Sequence, residues 1–360
     1  MAIIPQTVVN PIAEAIYSHY KAVYGSEKSR PYLGASSIGK PCNRAHWYSF
    51  HWAKPAQFSG RLYRLFQSGH LQEPRVLKDL RAIGCKVEGI DPATGKQWSF
   101  SEESCGHHFA GNLDGVITGV PGAPKTRHVL EIKTSSDKMF KVMLKDGVQK
   151  SKPEHYAQMQ IYMHWSKCDR ALYFVVNKDN DEIYTERVEY DKAFALGLIE
   201  KSRAIIESNV PPARLSDDPT WFECKFCDYQ AICHGQDLPA VNCRSCAHST
   251  PVMTGHGAWT CGKYDSEIPQ DAQREGCNGH IYIPILLERC ARPVDGDESH
   301  VVYEMSNGAR FTNGDPDEFG EHISSKEIHA VADKSALVEP RVIELRREML
   351  EQFPETRLAA

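Results

Sequence analysis

The segment HFAGNLDGVITG, residues 108–119, is followed by a turn rich in proline and glycine and then by HVLEIKT, residues 128–134. Both runs are apolar, carry β-branched residues and are bounded by turn formers, so they read as two strands of a hairpin. Asp114 closes the core of the first run, and Glu131 and Lys133 stand in the second. Strand side chains alternate with period two, so Glu131 and Lys133 share one face. Two carboxylates and a lysine brought together across a hairpin can hold a divalent cation beside an activated water, which suits hydrolysis of a phosphodiester. Taken alone, Glu-x-Lys on a strand is a common solvated face. The residues around it decide its meaning.

Upstream, RLYRLFQSGHLQEPRVLKDLRAI (61–83) has Leu65, Phe66, Leu77 and Leu80 at core spacing and is expected to be helical, kinked at Pro74. His70 and Glu73 lie three apart, so both can project to one side. Further upstream, Asn10, Pro11 and Glu14 read as an N-cap, a first-turn proline and a capping partner for a helix that stops at Gly25. Downstream comes a Lys-rich segment, then PEHYAQMQIYMHW (153–165) as a second helix with Gln158 and Tyr162 one turn apart. ALYFVVNKDNDEIYTERVEY (171–190) reads as a strand pair and DKAFALGLIEKSRAIIES (191–208) as an amphipathic helix. This order predicts an α/β fold, a mixed central sheet flanked by helices.

The composition, 41% apolar and 25% charged, is that of a soluble globular protein with more than one folded unit. No run is long enough to span a membrane, and MAIIPQTVVN does not look like a signal peptide. A cytoplasmic location is expected, in which the twelve cysteines are metal ligands or buried thiols rather than disulfides. The net charge of −5 is neutral on DNA binding, because phosphate contacts need only a local basic patch. Gly34 to Lys40 matches G-x4-G-K, but Pro41 stands where the magnesium-binding hydroxyl should be, so a nucleotide-binding loop is not expected.

Asp114, Glu131, Lys133, Gln158 and Tyr162, with His70 and Glu73, form the candidate catalytic set. Asp114 and Glu131 are hard oxygen ligands for magnesium or manganese, and an imidazole from His70 would tilt the choice toward manganese. Lys133 can orient or deprotonate the attacking water and offset charge on the phosphate. Gln158 and Tyr162 can brace the water, the lysine or the DNA backbone.

At these residues the chain resembles the PD-(D/E)XK nuclease superfamily, through a Gly-His pair at His70, Leu-Asp-Gly at Asp114, Glu131-Ile-Lys133 and Gln158 followed by Tyr162, in that family's order. It is most similar to the RecB-like branch, which includes CRISPR-associated adaptation nucleases and AddB-type subunits. GHLQEP (69–74) also looks like the first motif of YqaJ-type phage exonucleases, so His70 and Glu73 compete as the third metal ligand. Leu113 stands where the superfamily's name has proline. The resemblance implies that the histidine, aspartate and glutamate bind metal and that the lysine is catalytic. It also implies a DNA substrate with a free end, an origin in phage or bacterial recombination, repair or CRISPR-like adaptation, and a recombination or replication protein as partner.

Cys42 with Cys224, Cys227 and Cys233 supplies thiolates suited to zinc or to an iron–sulfur cluster. One distant cysteine before the core and C-x2-C-x5-C after it is similar to the 4Fe–4S staple of the RecB-like branch, which would close a loop across the whole domain. Cys243, Cys246, Cys261 and Cys277 have the spacing of a four-cysteine zinc knuckle or ribbon, with His280 as a substitute for Cys277. Cys85, Cys105, Cys168 and Cys290 are expected to be ordinary buried thiols. The expected domains are a nuclease core at 1–237, a zinc module at 238–290 and a hairpin-plus-helix region at 291–360. Lys138, Lys141 and Lys145 share a helical face after the Glu-x-Lys strand and are candidate phosphate contacts, followed by Lys150 and Lys152; Arg61 and Arg64 are a weaker pair. The rival readings are a structure-specific endonuclease and a non-catalytic DNA-binding assembly subunit.

Overall fold

The structure, a computed structural model, describes residues 10–26, 28–55, 57–315 and 321–352. The expectation about the first nine residues lies outside them. Contacts group the described residues of 10–30, 57–100 and 111–198 into one unit, and those of 31–55, 101–110 and 199–352 into another.

The first unit begins with α1 (Pro11–Tyr24), whose N-cap Asn10 side chain accepts from the Ala13 amide at 3.1 Å. Then come α2 (Gly60–His70) and α3 (Gln72–Ala82). A Cβ on Gly60 would lie 1.8 Å from the Tyr17 carbonyl oxygen, so only glycine lets α2 approach α1 here. The expected kink at Pro74 is instead a break at Leu71. The proline ring would collide with the carbonyl of residue i−4, which is His70, so the first helix ends there. Pro74 falls in the first turn of α3, where its missing N–H costs nothing.

The sheet contains β1 (Lys86–Glu88), β2 (Gly115–Thr118), β3 (His128–Ser135), β4 (Arg170–Asn177) and β5 (Ile183–Glu189), in that spatial order. Every pairing is antiparallel except β3 with β4. That parallel pair requires a crossover, supplied by α4 (Asp137–Ser151) and α5 (Pro153–Ser166). Within α4, Gly147 at φ +71° interrupts the helical backbone.

One face of the sheet is a core of Val87, Ile117, Leu130, Ile132, Leu172, Phe174 and Val176, packed with Val76 and Leu80 of α3. Alternation then sends Val129, Glu131 and Lys133 of β3, and Tyr173 of β4, to the opposite face, where α5 packs. Leu130 and Ile132 are thus committed to the core, and the acidic and basic residues between them are committed to the site.

The second unit holds a helix Asn43–Phe50 and a small sheet of Ser249–Pro251, Trp259–Cys261 and Ser266–Glu267. It also holds a sheet of Arg292–Gly296, His300–Glu304, Arg310–Gly314 and His322–Ile323, and a helix Pro340–Gln352. The hairpin expected in the region 291–360 is formed by His300–Glu304 and Arg310–Gly314, the two central strands of the latter sheet. In the G-x4-G-K segment the carbonyls of Ile38 and Lys40 accept from Lys201 Nζ at 2.8 and 2.7 Å. Carbonyls turned toward a cation are the reverse of a phosphate cradle, which presents N–H groups. No helix among the described residues is long and apolar enough to cross a membrane.

Candidate active site

The structure places Asp114, Glu131 and Lys133 at adjoining positions of β2 and β3, Gln158 and Tyr162 on the helix packed against β3, and Glu73 and His70 within electrostatic reach of Asp114. Asp114 sits at the entry to β2, and its Oδ2 accepts the Ile132 backbone N–H at 2.7 Å. This bond fixes the aspartate against β3, one residue from Glu131. Glu131 is fully buried, and its Oε1 is ion-paired with Lys133 Nζ. From α5, Gln158 Nε2 donates to the Tyr162 hydroxyl at 3.2 Å, and both side chains are buried. Glu131 Oε2 and Gln158 Oε1 are buried without a hydrogen-bond partner. Orphan acceptors of this kind are rare in folded proteins and call for a cation or a donor from outside the chain.

His70 lies at the exposed end of α2 and half-buried Glu73 in the first turn of α3. The break between these helices does not separate them electrically. The Glu73 carboxyl is raised by burial and then by the Asp114 charge, while His70 and Lys133 pull it down. Asp114 is likewise raised by burial against the pull of Lys133 and His70. Burial pushes Glu131 up to about 7, with Lys133 opposing and Asp114 and Glu73 reinforcing the shift. For Lys133 burial acts downward, but the three carboxylates outweigh it and hold the ammonium above its ordinary range.

A carboxylate whose folded pKa is raised stabilises the fold fully below its unfolded pKa and loses that contribution as pH rises through the folded value. For Glu131 the loss runs from the ordinary carboxylate range and is nearly complete once pH passes about 7, and Lys133 stays charged throughout that window. Without metal, the Tm of the wild type relative to Glu131→Gln is therefore expected to fall from roughly pH 5 to 8. A difference that is flat or rises over that range would show that this carboxylate is not buried as described.

Two further residues belong to this face. His155, in the first turn of α5, points its Nδ1 at the Tyr173 hydroxyl at 2.6 Å, and Tyr173 pairs in register with Glu131. His155 precedes Gln158 by three residues, so its place on the same helical face was readable in the sequence. Its partner, across a parallel strand pair, was not.

Lys138, Lys141 and Lys145 are exposed on α4 before the Gly147 break, and Lys141 is ion-paired with Asp137 at 2.7 Å. Arg61 and Arg64 are exposed on α2. In the second unit, Cys42, Cys224, Cys227 and Cys233 line one cavity, and Cys243, Cys246, Cys261 and Cys277 line another. Burial raises the Cys227 thiol, against a hydrogen bond from the Tyr229 backbone N–H. Burial pushes Cys243 up to about 12, reinforced by Cys246, Cys277 and Cys261. Among the described residues no group of three or more His, Cys, Asp or Glu side chains is already gathered into a metal-holding set. The expected substitute His280 has its Nε2 beside Ser245 Oγ and the Asn242 carbonyl, both at 3.1 Å. Cys85, Cys105 and Cys168 are buried as expected, but Cys290 is only half-buried.

Residues 67–169 match the YqaJ-like viral recombinase domain, a span under half of the chain that contains the whole candidate set. Among solved structures the chain is similar to an alkaline exonuclease (LHK-Exo) from Laribacter hongkongensis, at 17% identity and TM-score 0.36, over 52% of this chain and 90% of that one. The same enzyme in complex with dAMP gives 17% identity and TM-score 0.35, over 53% and 90%. The crystal structure of SSO0001 gives 16% identity and TM-score 0.39, over 62% and 96%. No curated protein matches the chain.

Proposed function

We propose, from the premise that residues 67–169 are a YqaJ-like viral recombinase domain, that the chain is a divalent-metal-dependent DNA exonuclease of the PD-(D/E)XK type acting in phage-type recombination. The observation that supports this most is a pair of orphan oxygens: Glu131 Oε2, beside Lys133 and Asp114, and Gln158 Oε1 on the helix packed against β3. The donor set fits magnesium or manganese: hard carboxylate oxygens on Asp114 and Glu131, with Glu73 or His70 as the third ligand. When bound, the cation supplies Lewis acidity, acidifying water and offsetting charge on the phosphate. The protein's own groups do the rest. Asp114 is held in position by the Ile132 amide. Lys133 presents a permanent positive charge to the phosphate and the attacking water. Gln158, held by Tyr162, offers its free carbonyl oxygen as an acceptor that orients the water.

We assign the first cysteine set to a 4Fe–4S cluster, with zinc as the alternative, and the second to zinc. The co-lining of one cavity by each set supports this, as does the Tyr229 N–H that meets the Cys227 sulfur. As functional modules, residues 1–237 carry the nuclease and its cluster and 238–290 the zinc. Residues 291–360 receive no role. Lys138, Lys141 and Lys145 are assigned to the DNA backbone.

The test is end-labelled linear DNA against closed circular DNA with manganese, alongside elemental analysis for iron and zinc. Digestion of the linear form only is expected; cutting of the circle would make the enzyme an endonuclease. Manganese is expected to support cleavage at least as well as magnesium. His70→Ala should narrow that preference, and a manganese-to-magnesium rate ratio identical to wild type would assign the third ligand to Glu73.

A further inference from the structure

His155 is half-buried, and among the described residues its Nε2 makes no hydrogen bond. Its Nδ1 faces the Tyr173 hydroxyl at 2.6 Å, and the same hydroxyl lies 3.7 Å from Met143 Sδ. An imidazole nitrogen is a far stronger acceptor than a thioether, so the phenol proton goes to Nδ1. That fixes the tautomer, leaving Nε2 with the proton. Tyr173 is itself immobile, being fully buried and paired with Glu131 across β3 and β4. The strands β3 and β4 are parallel, and α5 returns the chain between them, so the start of α5 lies at the end of β3 where Lys133 stands. The charges agree with this: after burial, Lys133 is the largest influence lowering the His155 imidazole, followed by Lys152.

We propose that His155 is a phosphate-contacting residue of this site: Tyr173 fixes the imidazole so that its Nε2–H donates to a non-bridging oxygen of the DNA phosphate that Lys133 engages. This rests on the nuclease reading above. A neutral donor beside a lysine adds direction without adding charge. The phosphate is located by one ammonium and one oriented N–H, and His155 adds no charge beside the carboxylates proposed to hold the metal.

The test measures DNA binding by the full-length protein in calcium, and cleavage in manganese, for wild type, His155→Phe, His155→Gln and Tyr173→Phe. Thermal melts of each variant check the fold. His155→Phe keeps the ring and loses the donor, so it should raise KM and the Kd for DNA by roughly tenfold or more. His155→Gln, which can replace the Nε2 donor, should recover most of the loss, and Tyr173→Phe should fall between. Because the donor is uncharged, the slope of log Kd against log salt should match wild type. Loss of a phosphate-binding lysine would instead reduce that slope by about 1. Wild-type affinity and KM in a folded His155→Phe, or equal losses in Phe and Gln variants, would overturn the proposal. If wild type itself neither binds nor cuts DNA, the nuclease reading fails first, and the His155 comparison is not what decided it.

Discussion

Lys133→Ala is expected to slow DNA cleavage by roughly a thousandfold while leaving a folded protein that still binds manganese. The reason lies in the company the lysine keeps. Among the described residues it is the cation paired with fully buried Glu131, and it opposes the raised pKa of Asp114 and Glu73 as well. In the proposed mechanism, removing it takes away the charge offered to the phosphate but none of the oxygen ligands. Metal binding should therefore survive and even tighten, since the carboxylates lose their internal competitor. The measurement is single-turnover cleavage of end-labelled linear DNA, with manganese affinity measured separately by calorimetry. Cleavage within tenfold of wild type would remove Lys133 from the mechanism; loss of metal binding would make its role structural.

The second large effect is expected from Cys227→Ala. If the thiols of Cys42, Cys224, Cys227 and Cys233 hold one cluster, that cluster cross-links segments far apart in the chain. Closing a loop of this length contributes on the order of 4–5 kcal/mol in the chain-entropy description. Typical domain stabilities are about 5–15 kcal/mol, so the loss removes a large share of the total. Soluble yield should drop severalfold, and the visible absorbance of anaerobically purified protein should disappear. Cys85→Ala, by contrast, removes a buried thiol outside both sets and should leave the absorbance unchanged. A colourless wild type that holds only zinc would refute the cluster and leave zinc in its place.

Much of the candidate site was legible in the sequence because the relevant rules are short-ranged. Period-two alternation puts Glu131 and Lys133 on one face as soon as Leu130 and Ile132 are seen to be core residues. Helical spacing pairs Gln158 with Tyr162, whose hydrogen bond the structure contains. The same spacing pointed to His70 and Glu73 as neighbours on one helix. It was misleading about the means, because Pro74 ends the first helix at His70 and the two residues influence each other electrostatically across a break.

What the sequence by itself determined is the chemistry of the set: which residues are carboxylates, which is the lysine, and which sit on one side of a strand or helix. Those follow from backbone periods and side-chain identity, and they survive any arrangement of the elements. Tertiary structure alone decided the rest. The Asp114 carboxylate is held by the Ile132 amide because β2 and β3 pair in one register. Tyr173 stands opposite Glu131 because β3 and β4 are parallel and joined through α4 and α5, and from that pairing His155 gains its partner. Burial then supplies what no spacing rule contains: two unpartnered oxygens and a glutamate pushed up to about 7. Desolvation depends on everything packed around a group, so it is a property of the folded whole rather than of any segment.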